Sequence, residues 1–190
     1  DNWLIMARTN YLLDEIERDI RLQGLFYKRN NRLPISQKLL SATGAWKKLN
    51  EGQDIELSDV KDIYSYMSSE IGIMRGHKNL KTANKEKYDL FDLVKNHGLL
   101  VSNRPWDVAF DKVGTRDKEF LRSIETRNRD FTKIDPKIHL STIHGAKGGE
   151  ADNVMLLTDL SRKAHEAMEK NSDDECRVFY VGATRARNQL

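Results

Sequence analysis

Cysteine is almost missing from this chain of 190 residues: Cys176 stands alone, which excludes an internal disulfide and suits a reducing compartment such as the cytoplasm. Proline is scarce, three in all, and no internal repeat or low-complexity tract interrupts the chain. No apolar run approaches the length of a membrane span. A large excess of one charge is missing too, since Lys and Arg outnumber Asp and Glu by only 32 to 29. Nucleic acid is compatible with that balance but not argued by it, because scattered Lys and Glu also make ordinary solvated helix faces. His77, His97, His139 and His165 lack a ligand spacing such as H-E-x-x-H, so no metal centre is expected. What remains, 38% hydrophobic and 32% charged, suffices for a single core or for one core with a small insert.

The two ends of the chain share one pattern. Trp3-Leu4-Ile5-Met6-Ala7 is a short unbroken apolar run, as expected of a strand covered on both faces in a parallel sheet. Thr9 or Asn10 can cap a following helix whose Leu12, Leu13, Ile16 and Ile20 fall on one stripe. Gly24 ends that helix, and Leu25-Phe26-Tyr27-Lys28 offers a second strand. Near the other end, Ile138 to Ile143 and Val154 to Leu157 read as strands, followed by helices over Ser161 to Lys170 and Asp173 to Asn188. These pieces sum to an α/β domain with a parallel sheet.

Residues 34–135 have a different character. Leu39, Ala42, Trp46 and Leu49 share a helical face, as do Val60, Ile63, Tyr64 and Met67 behind a cap at Ser58. Further helices are expected over Tyr88 to Asn96 and Thr115 to Arg127. Pro34 and Pro136 mark the edges. The organisation expected is an α/β domain from residues 1–33 and 136–190, interrupted by an all-helical insert over 34–135. The basic tract Arg75, His77, Lys78, Lys81, Lys85 and Lys87 lies in a polar loop over Gly72 to Glu86, and is either a solvated loop or a contact to a nucleic-acid backbone. Trp3, Trp46 and Trp106 sit among apolar neighbours and are expected in the core, as is Cys176.

Three ordered motifs narrow the function. Ser141-Thr142-Ile143-His144-Gly145-Ala146-Lys147-Gly148-Gly149-Glu150 is followed by Val178-Phe179-Tyr180-Val181-Gly182-Ala183-Thr184-Arg185-Ala186-Arg187, and Ala7-Arg8-Thr9-Asn10 precedes both. Together they resemble motifs V, VI and IV of superfamily-one DNA helicases of the UvrD/Rep type. The phosphate-binding loop of such a motor, G-x-x-x-x-G-K-[ST], is absent. The resemblance therefore implies the second of two RecA-like domains, with ATP held in the cleft between them and a helical insertion between motifs IV and V. The chain begins just before a strand and stops just after motif VI, as expected of an excised fragment.

In the family, the motif IV and motif VI arginines reach the γ-phosphate of ATP. The resemblance thus implies catalytic and nucleotide-contacting roles for Arg8 and Arg185, and a guanidinium suits them because it donates in a planar fork and stays charged. It implies that Glu150 accepts a hydrogen bond from the ATP ribose, and that Thr142, His144 and Lys147 contact single-stranded DNA. Magnesium ligands belong to the absent N-terminal RecA-like domain, which is the implied partner along with single-stranded DNA or a single/double-strand junction; no membrane partner is expected. Many members place an aromatic before the motif IV arginine to stack on adenine, whereas this chain has Ala7. Two readings stay open here: an ATP-dependent helicase or translocase half that is inactive alone, and a non-catalytic nucleic-acid-binding or protein-interaction module that keeps the fold.

Overall fold

The computed structural model describes residues 1–80, 85–127 and 135–190. Along the chain, β1 (Trp3–Ala7) leads through a 3-10 turn (Asn10–Leu13) into α1 (Asp14–Leu22) and β2 (Tyr27–Arg29). Then follow α2 (Gln37–Asn50), β3 (Ile55–Glu56), α3 (Leu57–Ser65), β4 (Lys87–Tyr88), α4 (Leu90–Asn96), α5 (Trp106–Ala109) and α6 (Thr115–Thr126). The C-terminal part holds β5 (Ile138–Thr142), β6 (Ala151–Leu156), α7 (Arg162–Lys170), α8 (Ser172–Ala183) and β7 (Ala186–Gln189). Five strands form one sheet in the order β2-β5-β1-β6-β7, and every neighbouring pair in it is parallel. The fold is α/β, a RecA-like parallel sheet with flanking helices.

Among the described residues the chain divides into two compact units, one from residues 1–34, 122–127 and 135–190 and the other from residues 35–121. In the first, the central strand β1 is buried from Leu4 to Ala7, because parallel neighbours on both sides and side chains on both faces leave it no solvent. One face of the sheet packs Leu4, Met6 and Val154 with Ile143 and Ala146, and Val178 and Phe179 of α8 close over them. In the second unit, Leu39, Ala42, Trp46 and Leu49 of α2 are buried, as are Val60, Ile63, Tyr64 and Met67. The indole of Trp46 donates to the Arg104 carbonyl at 2.8 Å and its ring lies 5.8 Å from that of Phe110. Among its described residues the regular structure of this unit is helical apart from the two-residue antiparallel pair of β3 and β4, which takes Tyr88 out of the expected helix.

Four local expectations are corrected. The helix expected to run to Asn188 stops at Ala183, and Ala186–Gln189 forms β7; these residues pair with β6, which would otherwise present an unpaired edge. Cys176 is exposed, because the sheet-facing positions of α8 are Glu175, Val178, Phe179 and Gly182 at helical spacing. Trp3 is 38% exposed at the start of β1, one residue before the covered part of the strand. Ser58 does not cap α3, which begins at Leu57 after Glu56 and has no side-chain cap bond. Among the described residues no helix is long and apolar enough to cross a membrane.

Candidate strand and nucleotide edges

All five strands run in one direction, so the sheet has one edge of strand C-termini and one of strand N-termini. Arg8 leaves the C-terminal end of β1, and Thr142 ends β5 beside it; Ala7 and Thr142 are register partners, and the Ile143 amide donates to the Ala7 carbonyl at 3.0 Å. The Thr142 hydroxyl accepts from the Gly145 amide at 3.0 Å and its carbonyl accepts from the Ala146 amide at 3.0 Å. The chain therefore turns sharply here and presents His144 to solvent. Space is tight at Gly145, where a Cβ would sit 2.8 Å from Ser141 Oγ and 3.1 Å from Thr142 Oγ1.

Arg8 is held by a carboxylate that sequence reasoning missed. Its Nε and Nη2 donate to the two carboxylate oxygens of Glu175 at 2.8 and 2.9 Å, with Arg8 24% and Glu175 7% exposed at the side chain. This bidentate bond holds the Glu175 carboxyl below its ordinary value of 4.5; burial opposes the shift, and the charges of Arg8 and His144 add to it. A depressed carboxyl stabilises the fold above its unfolded value and loses that contribution as pH falls through its folded value. In urea unfolding midpoints measured against pH, the wild-type chain should therefore lose stability more steeply than Glu175→Gln between about pH 5 and pH 3. Equal slopes would show that the pair contributes nothing to folding.

Behind Arg8 a second network fixes the turn. Arg29 Nη2 donates to the Asn10 carbonyl at 2.7 Å and pairs with Asp14 at 2.7 Å and with Glu17. The Tyr27 hydroxyl donates to Glu17 at 2.6 Å, and burial first, then this bond, pushes the phenol up to about 12.

Glu150 and Arg185 lie elsewhere. Glu150 immediately precedes β6 and Arg185 precedes β7, so both sit on the N-terminal edge. The Ala151 amide donates to the Arg185 carbonyl at 3.1 Å, Glu150 accepts from Arg187 Nε at 3.0 Å, and Arg185 Nε donates to the Val181 carbonyl at 2.9 Å. Lys147, exposed, stands between the two edges on the loop of residues 143–150; with Glu150, Asn2, His139 and Ser141 it lines a cavity of about 140 Å³.

The register sets the separation. Trp3 is level with Asn153 and Ala151 with Ala186, so Arg8 and Arg185 stand about eight strand positions apart, or roughly 26 Å at about 3.3 Å per residue. The structure brings Arg8, Thr142 and His144 together on one edge, and Glu150 and Arg185 on the other. It does not bring the two arginines together. Two pieces join the edges: the loop of residues 143–150, seated by buried Ala146, and α8, with Glu175 in its first turn and Arg185 just past its end.

Several side chains of the basic tract are engaged locally, with Lys78 bound to the Met67 carbonyl at 3.2 Å and Lys85 paired with Asp92 at 3.1 Å; Lys81 lies outside the described residues. Among the described residues no group of three His, Cys, Asp or Glu is placed to hold a metal ion.

No curated protein matches the chain in sequence. The family model of the UvrD-like helicase C-terminal domain matches residues 10–190, a span that begins just after Arg8 and takes in Thr142, His144, Glu150 and Arg185, the loop and helix between the two edges, and the helical unit. The chain thus belongs to the UvrD-like helicase C-terminal domain family.

Proposed function

We propose that this chain is the second RecA-like half of an ATP-dependent DNA helicase or translocase, with its two sheet edges divided between nucleotide and strand. Supporting this reading is the placement of motif V across both edges: Thr142 and His144 at one end of a loop of residues 143–150 and Glu150 at the other. A change of nucleotide state at Glu150 need move only one short, core-anchored piece to alter the hold at His144.

On the N-terminal edge, Glu150 accepts from the ATP ribose, as an ionised carboxylate is acceptor-only. Arg185 donates to the γ-phosphate as its charge spreads during transfer. On the C-terminal edge, Thr142, His144 and Arg8 hold the phosphodiester backbone of single-stranded DNA, with Lys147 contributing from the loop. Arg8 is read with the strand rather than with ATP because roughly 26 Å of sheet separates it from Arg185, well beyond the reach of two side chains toward one phosphate. The phosphate loop, the magnesium ligands and the attacking water belong to the other RecA-like half, so the chain by itself does not hydrolyse ATP.

Calorimetry tests this division. Residues 1–190 alone should bind ATP no more tightly than the millimolar range, because most of the phosphate contacts lie on the other half. Micromolar binding would place a complete nucleotide site within this chain and overturn the reading of it as half a motor.

A further inference from the structure

We propose that Glu175 is a positioning residue for strand binding: it orients the Arg8 guanidinium so that its free donors meet the phosphodiester backbone at the C-terminal sheet edge. The proposal rests on the reading of that edge as a single-strand track. Two of the five N–H donors of Arg8 are committed to Glu175, and the planar fork fixes where the others point. Without the carboxylate, a four-torsion side chain at a sheet edge samples many rotamers and loses entropy on every phosphate contact.

The anchor is well built for such a role. Glu175 is 7% exposed at the side chain and sits in the first turn of α8. The helix seats closely on the sheet: a Cβ at Gly182 would stand 3.1 Å from Leu156 Cδ1 and 3.5 Å from Ile143 Cγ2. Two basic groups face the carboxylate, Arg8 by direct bonds and His144 through its charge. Its depressed titration keeps it ionised at neutral pH.

The sign of one substitution separates positioning from simple charge. Removing a negative charge beside a DNA-binding edge strengthens binding if electrostatics alone operate. Removing the group that orients an arginine weakens it. Fluorescence anisotropy of residues 1–190 with a labelled oligothymidylate at low salt should show Glu175→Gln binding about tenfold more weakly, the worth of one charge-assisted contact. Glu175→Asp, which keeps the charge but withdraws it by one methylene, should weaken binding as well. Arg8→Ala combined with Glu175→Gln should be no weaker than Arg8→Ala alone. Unchanged circular dichroism spectra of both Glu175 variants show that the fold and its helix content are kept. Tighter or unchanged binding by Glu175→Gln, with Arg8→Ala still weakened, overturns the proposal and leaves the strand edge standing. If Arg8→Ala binds as the wild type does, or the wild type binds no oligonucleotide, the strand reading of this edge fails and the proposal with it.

Discussion

Replacing Arg185 with alanine in the intact motor should lower ATP turnover by about a hundredfold or more while changing nucleotide affinity by less than about tenfold. The asymmetry is the informative part. An arginine finger acts on charge that develops as the phosphoryl group transfers, so its removal falls mainly on kcat rather than on ground-state binding. The local structure supplies a reason for the arginine to be held ready. Arg185 Nε is tied to the Val181 carbonyl at 2.9 Å, and its own carbonyl is tied to the Ala151 amide at 3.1 Å, next to Glu150. The side chain therefore starts from a fixed base between the end of α8 and the start of β7. Arg185→Lys keeps the charge but not the fork, and should recover only a small part of the lost rate. Near-normal turnover in Arg185→Ala would remove Arg185 from the reaction and leave it a fastener of the β6–β7 edge. A loss confined to KM would make it a ground-state ligand instead.

The fold was legible where burial dictates sequence. The apolar run from Leu4 to Ala7, the stripe of Leu13 and Ile20, and the face of Leu39, Ala42, Trp46 and Leu49 are all buried as the periodicity implies. It was not legible where hydrogen bonding rather than burial decides. Ala186-Arg187-Asn188-Gln189 carries no strand pattern, and its last three residues are exposed; it is a strand because β6 supplies backbone partners. That single omission hid the layout of the candidate site. With residues 183–188 read as helix, nothing fixed the edge on which Arg185 lies. Once β7 is known to be parallel, an arginine that precedes a strand and one that follows a strand must stand on opposite edges. Glu175 was hidden for another reason: in sequence it is the third member of an acidic run, Asp173-Asp174-Glu175, and first-turn acids are common as partners of the helix dipole. Only the helix seat on the sheet distinguishes it, turning Glu175 inward while Asp173 and Asp174 stay exposed.

Gly24→Ala should cost about 3 kcal/mol or more of folding stability. Gly24 ends α1 with φ of +56°, its amide donating to the Arg21 carbonyl at 2.9 Å and the next amide, that of Leu25, to the Ile20 carbonyl at 3.1 Å. An L-residue forced into that conformation costs about 1 kcal/mol. Space adds the rest: a Cβ would stand 2.4 Å from the Ser123 carbonyl oxygen, 2.6 Å from its carbon and 2.8 Å from the Ile124 amide nitrogen. All three atoms are backbone of α6, so no side-chain rotation relieves the overlap, and helix or turn must shift. Gly148 separates the two contributions within the same compact unit. Its φ is +81° but nothing lies within 4 Å of the Cβ position, so Gly148→Ala should carry only the conformational cost of about 1 kcal/mol. Urea unfolding of the two variants beside the wild type measures the difference. Equal losses at the two sites would mean that the approach of the α1 turn to α6 contributes nothing, and that backbone conformation alone explains why glycine stands at position 24.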